Sequence, residues 1–202
     1  MITTEELREI ALSVVNDPWG IGNRQLERNS ESWAPYNRFL HACVKKYKPI
    51  AVLECGVYMA TATIHMALGN PLTQVIGIDI RYHENAYDNV RRYPNIWLIE
   101  GNTLESFDAV VAALVSEDNK IGLLFLDSAH DGVTPAAEFE LYRPLFDKEC
   151  IVVCDDIKIN HEMEKFWEDL PGDKIRLDFL HPQKYTHLAY PDSGFGASIV
   201  RK

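Results

Sequence analysis

Three carboxylates and one imidazole fall where apolar, strand-like runs come to an end. The run from Ile121 to Asp127 closes as Leu124-Phe125-Leu126-Asp127-Ser128-Ala129-His130, and the run from Cys150 to Asp155 closes as Val152-Val153-Cys154-Asp155-Asp156. If the two runs are neighbouring strands of one sheet, Asp127, Asp155 and Asp156 share its carboxyl edge. Three ionised carboxylates in one place repel one another strongly. A divalent cation relieves that repulsion, and an all-oxygen set suits Mg²⁺, Mn²⁺ or Ca²⁺ better than zinc. His130, three residues after Asp127, would stand beside such an ion as a general base with a pKa near the working pH. Plainer roles compete: strand-end aspartates cap the helices that follow them, and a loop histidine satisfies a backbone carbonyl.

A second group of residues has the chemistry of a nucleoside site. An earlier apolar run closes as Leu53-Glu54-Cys55-Gly56-Val57-Tyr58-Met59-Ala60, where Gly56 allows a tight turn and close approach of the backbone to a ligand. Asp79 ends the next run, 23 residues beyond Gly56, where an acidic side chain can accept hydrogen bonds from both hydroxyls of a ribose. Glycine turn and acid together suggest an adenosine-bearing cofactor; alone, they equally describe a tight turn and a helix cap. A nicotinamide dinucleotide is the alternative, but its GxGxxG loop uses later glycines to admit the pyrophosphate. Gly56 is followed by Val57, Tyr58 and Met59 instead. A cofactor without phosphates, such as S-adenosylmethionine, needs less room.

These positions matter only if the chain forms a sheet whose carboxyl edge collects them. Five runs read as strands: Ile50 to Cys55, Gln74 to Ile80, Asn95 to Glu100, Ile121 to Asp127 and Cys150 to Asp155. Segments with helical potential lie between them, notably Thr61 to Leu68, Leu104 to Val115 and Pro135 to Leu145. Strands that are apolar throughout and alternate with helices imply a parallel sheet covered on both faces. Lys174 to Leu180 and Phe195 to Val200 would close it as an antiparallel hairpin. Before the sheet, Thr3 and Glu6 form a capping-box pattern for a helix over about 4–15, and Tyr36, Phe39, Leu40, Cys43, Val44 and Tyr47 repeat at helical spacing.

Composition sets the outer bounds. The 202 residues carry 20 Lys+Arg against 30 Asp+Glu, a net charge of −10, which disfavours a nucleic-acid partner. No run is long and apolar enough for a membrane span, and the charged N-terminal helix is unlike a signal peptide. A chain of this length builds a core without staples. Cys43, Cys55, Cys150 and Cys154, none in CxxC spacing, therefore read as reduced core residues of a cytoplasmic protein. We expect one domain, with 1–48 as N-terminal helices and a lid, and 49–202 as the cofactor-binding core. A homo-oligomer is compatible with the sequence, which does not specify one.

From about Pro49 to Asn160 the chain resembles the class I S-adenosylmethionine-dependent methyltransferases. The likeness is to the metal-dependent branch that includes cephalosporin hydroxylase-like, rhamnosyl and macrolide-sugar O-methyltransferases. It rests on the motifs around Gly56, Asp79 and Asp127, on Glu138-Phe139-Glu140-Leu141-Tyr142-Arg143-Pro144-Leu145, and on Val153-Cys154-Asp155-Asp156-Ile157-Lys158-Ile159-Asn160. The resemblance implies a Rossmann-like, doubly wound, mostly parallel seven-stranded sheet with a C-terminal antiparallel strand and helices on both faces. It implies that Glu54 and Gly56 serve the methionine side of the cofactor, Asp79 the ribose, and Asn102 and Thr103 the adenine, with Tyr58, Ala60 and Arg81 in the same loops. Asp127, Asp155 and Asp156 would bind Mg²⁺ or a similar cation, and His130 would deprotonate a small-molecule hydroxyl on a sugar or phenol. Ala60 and Ala62 stand where the family has a glycine and a serine, and Asn102 where it has an acid. A non-catalytic binding protein of the same fold is the alternative from another class. The segment 17–33 and the loop 181–194, rich in aromatic and polar side chains, would cover the sheet edge as lids.

Overall fold

Four of the five apolar runs become strands covered on both faces, and the fifth, over 96–100, is only half-buried. The computed structural model describes residues 1–16, 35–114, 120–180 and 193–202. Strands β1 (Ala51–Cys55), β2 (Gln74–Asp79), β3 (Ile96–Glu100), β4 (Ile121–Leu126), β5 (Phe146–Asp155), β6 (Asp173–Arg176) and β7 (Phe195–Arg201) form one sheet in the order β3-β2-β1-β4-β5-β7-β6. The first five pair in parallel, and β7 lies antiparallel between β5 and β6. Alternate strand residues enter opposite cores. Val52, Val75, Leu123, Phe125, Ile151 and Val153 face one, while Leu53, Ile76, Leu124, Leu126, Val152 and Cys154 face the other. The expected mostly parallel sheet, closed by an antiparallel strand, is what the chain forms.

Helices α1 (Thr4–Asn16), α2 (Pro35–Tyr47) and α3 (Thr61–Gly69) supply the first core through Leu7, Phe39, Val44 and Met66. The capping box at the start of α1 is formed: the Thr3 amide donates to the Glu6 carboxylate at 3.1 Å and the Glu6 amide to the Thr3 hydroxyl at 3.2 Å. The short α4 (Ala86–Val90) covers a satellite cluster of Val57, Ala60 and Ile64. The second core is covered by α5 (Phe107–Ala113), α6 (Val133–Tyr142) and α7 (His161–Asp169), through Val110, Phe139 and Phe166. Each fully buried large apolar side chain contributes roughly 1.5–3 kcal/mol relative to exposure. All four cysteines are buried and unbridged, and no helix among the described residues is long and apolar enough to cross a membrane.

Several boundaries differ from the sequence expectation for local reasons. The segment from Leu104 to Val115 is not one helix. The Asn102 side chain accepts from the Leu104 amide at 3.0 Å and the Ser106 hydroxyl donates to the Asn102 carbonyl at 2.7 Å, closing a separate 3-10 turn (Thr103–Glu105) before α5. Helix α6 begins two residues before Pro135, because the Asp131 carboxylate accepts from the Val133 and Thr134 amides at 3.0 and 2.7 Å. The strand expected over 174–180 stops at Arg176, and Asp178–Leu180 is a 3-10 turn. Helix α7 is an addition to the expected elements, and its signal is local: Asn160 caps the Met163 amide at 2.8 Å, and Met163, Phe166, Trp167 and Leu170 repeat at helical spacing on the buried side. The proposed lids, 17–33 and most of 181–194, lie outside the described residues.

Candidate active site

The strand order reverses between β1 and β4, and the loops leaving these two strands meet at the carboxyl edge of the sheet, where open α/β sheets bind ligands. Gly56 makes the meeting tight. Its φ is +90°, and a Cβ there would overlap the Asp127 carbonyl and stand 2.9 Å from the Ser128 Cα. The Asp127 amide donates to the Cys55 carbonyl at 2.8 Å, so the nucleoside-like loop and the acidic loop are joined backbone to backbone. Between them opens a cavity of about 670 Å³.

One wall comes from the ends of β1, β2 and β3. Asp79 Oδ2 accepts from the Val57 and Tyr58 amides, both at 2.8 Å, and Oδ1 accepts from the Arg81 amide at 3.1 Å. Tyr58, held through its amide, and Ala60, whose amide donates to the Val57 carbonyl at 2.8 Å, both lie in the left-handed region, at φ +48° and +64°. Glu54, Gly56, Tyr58, Asp79, Asn102 and Thr103 line the cavity. Ala60 and Arg81 do not: the Ala60 methyl is buried in the apolar cluster beneath α4, and Arg81 is exposed. The extra carbon at Ala60 therefore packs away from the cavity.

Glu54 is buried to 1% exposure and accepts from the Thr63 hydroxyl. Burial outweighs that hydrogen bond and pushes its carboxyl up to about 8. The folded chain thus keeps this proton up to about pH 8, whereas the unfolded chain releases it near 4.5, so this group makes stability fall as pH rises between those values. We expect Glu54→Gln to flatten the profile, with the variant gaining on the parent by up to about 1.4 kcal/mol per pH unit through that window. Urea melts at pH 5.5 and 8 measure this; parallel behaviour of the two proteins would show that Glu54 ionises normally.

From the loop after β4, Asp127 and His130 line the same cavity, and Asp156, which is not part of its lining, adjoins them. The candidate ligand atoms of Asp127, His130 and Asp156 all lie within 4.8 Å of one another. His130 Nε2 is 3.0 Å from Asp156 Oδ2. Asp155, the third expected carboxylate, is not in that group: consecutive residues leave a strand in different directions, and its Oδ1 accepts from the Asp156 amide at 2.9 Å. That bond supports Asp156 in the left-handed region at φ +53°, a conformation uncommon for a residue other than glycine. Burial, then the nearby Asp155 and Asp156, drive the Asp127 carboxyl well above the usual range. The hydrogen bond that His130 donates to Asp156 raises the imidazole's pKa against the opposing effect of burial. Asn160 steadies the loop from α7, donating to the His130 carbonyl at 2.6 Å. Two carboxylates, an imidazole and a third carboxylate nearby form a donor set that fits a hard divalent cation.

Three contributors are not assigned to the site by the sequence alone. Tyr36 and Asn37, from the start of α2, line the cavity, and Asn37 is only 1% exposed. Glu138 is fully buried behind both loops. Its signal was present, since it shares the stripe Pro135, Glu138, Phe139 and Tyr142 that α6 buries, and a carboxylate on an apolar stripe must find partners.

This strand order, the glycine turn after β1 and the acid at the end of β2 define a class I S-adenosylmethionine-dependent methyltransferase. Residues 38–174, about two thirds of the chain, match the family model described as Rhamnosyl O-methyltransferase/CmcI, and the chain belongs to that family. No curated protein matches it in sequence. Solved structures share its fold at low identity. The O-methyltransferase TomG from Streptomyces achromogenes in complex with SAM has 15% identity, covers 100% of each chain and has a TM-score of 0.67. The O-methyltransferase from Bacillus cereus in complex with SAH has 16% identity, covers 100% of this chain and 93% of that one, and has a TM-score of 0.61. The SAH-bound methyltransferase from Podospora anserina has 15% identity, covers 100% and 97%, and has a TM-score of 0.63.

Proposed function

We propose that this methyltransferase transfers the methyl group of S-adenosylmethionine to a hydroxyl of a small molecule, a sugar or a phenolic compound, with the help of a divalent cation such as Mg²⁺. The observation that carries this reading is the convergence of Asp127, His130 and Asp156, two of which, Asp127 and His130, line the same cavity as Gly56 and Asp79. Asp79 would receive the ribose hydroxyls, Asn102 and Thr103 would flank the adenine, and Glu54 and Gly56 would border the methionine end. Asp127 and Asp156 would hold the cation, and Asp155 would keep Asp156 in place through its amide. Bound there, the cation supplies Lewis acidity that lowers the pKa of an acceptor hydroxyl.

His130 would take the hydroxyl proton. Asp156 engages Nε2 at 3.0 Å, which leaves Nδ1 as the accepting nitrogen and gives the resulting imidazolium a neighbouring negative charge. Tyr36 and Tyr58 offer aromatic surface beside the opening for a ring-bearing acceptor. With both molecules bound, the cavity wall would fix the acceptor oxygen and the methyl group relative to each other, and such positioning is worth orders of magnitude in rate.

Calorimetric titration with S-adenosylmethionine, S-adenosylhomocysteine and NAD, each with and without Mg²⁺, tests the proposal. Binding of both sulfur compounds and not of NAD is expected, with Mg²⁺ producing its own binding heat. If neither sulfur compound binds, the cofactor assignment fails; if Mg²⁺ gives no heat and no change in turnover, the cation assignment fails.

A further inference from the structure

Burying a carboxylate is costly unless its oxygens are hydrogen-bonded, and the two oxygens of Glu138 are bonded to different loops. Oε1 accepts from the Thr103 hydroxyl at 2.5 Å, in the turn that follows β3. Oε2 accepts from the Ser128 hydroxyl at 2.8 Å, in the loop that runs from Asp127 to His130. The Tyr142 hydroxyl, one helical turn along α6, donates to the Thr103 carbonyl and secures the same turn a second time. Thr103 and Ser128 line the cavity, whereas Glu138 stands behind them with no exposed surface. The side chain is thus a strut between the two walls, anchored on a helix that also packs through Phe139 into the core.

We propose that Glu138 is a positioning residue that fixes the separation between the Asn102–Thr103 turn and the Asp127–His130 loop, so that cofactor affinity and catalytic geometry depend on one buried carboxylate. This rests on the reading that these loops bind the cofactor and the acceptor. Removing both acceptors, as in Glu138→Leu, leaves the two hydroxyls without their partner and frees the loops to move independently. Glu138→Gln keeps the shape and one acceptor, and one hydroxyl can turn to accept from the new amide. Ser128→Ala cuts only the catalytic side of the strut.

The test is calorimetric titration of the full chain with S-adenosylhomocysteine, alongside thermal melts and, for the acceptor that the parent methylates, separate kcat and KM. We expect Glu138→Leu to weaken S-adenosylhomocysteine binding roughly tenfold or more, as loss of hydrogen bonds to a charged group does, and to lower kcat at least as much. Glu138→Gln should recover most of both losses. Ser128→Ala should weaken binding in the parent but add nothing in the Glu138→Leu background, because the strut is already gone. A Glu138→Leu protein that is folded and binds and turns over like the parent overturns the proposal, as do strictly additive effects of the two substitutions. If Glu138→Leu does not fold, the Glu138→Gln and Ser128→Ala pair decides: unchanged affinity and kcat in both overturns it. A parent that does not bind S-adenosylhomocysteine at all overturns the cofactor reading itself, an outcome separate from any difference between variants.

Discussion

Asp127→Asn should lower methyl transfer by about a thousandfold and at the same time make the cation-free protein more stable. A factor of a thousand corresponds to about 4 kcal/mol of lost transition-state stabilisation, the scale of a Lewis-acid contribution. Asparagine keeps the shape and one oxygen but removes the charge that would hold the cation. Without a cation the same charge is a burden, since Asp127 is pushed upward by burial and by Asp155 and Asp156. Its removal should raise stability by about 1 kcal/mol, or roughly 2–4 °C in Tm for a chain of this size. The main-chain bond from the Asp127 amide to the Cys55 carbonyl does not depend on the side chain, so the loop stays in place. Melting curves with and without Mg²⁺ provide a readout independent of the acceptor: the parent should shift upward with Mg²⁺ and the variant should not. A variant with near-parent turnover, or one that responds to Mg²⁺ like the parent, removes Asp127 from the cation site.

Gly56→Ala should have the largest effect on stability. The new methyl group would occupy the space of the Asp127 carbonyl, and backbone on both sides leaves nothing flexible to move aside. The φ of +90° adds a conformational cost that glycine alone avoids. Mechanisms of this kind give the upper tail of single-substitution effects, about 4 kcal/mol or more, which lowers Tm by roughly 10 °C. Any folded fraction should also bind S-adenosylhomocysteine poorly, because the clash separates the two loops that bound the cavity. Thermal denaturation followed by far-UV circular dichroism measures the first effect. A Tm within 2 °C of the parent would mean that the loops can part at little cost, and the close approach would lose its structural meaning.

Much of the core was legible because its strands are apolar throughout. A run such as Ile151-Val152-Val153-Cys154 can only sit between two covered faces, and its alternate residues do enter both cores. Gly56, Asp79 and Asp127 were legible because a position at the end of a strand is local information, and a parallel sheet brings all strand ends of one sense to one edge. The short elements were harder to read. Helix α4 has five residues, too few for periodicity to show, and the split near Ser106 depends on side-chain bonds from Asn102 and Ser106 that propensity does not register.

What the sequence by itself determined is therefore the order of the strands and of the longer helices that precede and join the first five of them, the two loops that form the candidate site, and the residue types at their tips. These follow from periodicity, chain stiffness and the chemistry of side chains within a few residues of one another. Only the tertiary structure decided which acids converge. Asp155 and Asp156 are adjacent in sequence, yet the left-handed turn at Asp156 brings its carboxylate to His130 while Asp155 bonds to the backbone. It also decided that Asn37 reaches the cavity and that Glu138 spans two loops 35 and 10 residues away along the chain. The reason is physical: local sequence sets the direction a residue faces within its own element, but a contact between elements depends on the order in which strands pair. That order is settled by burial of the sheet as a whole.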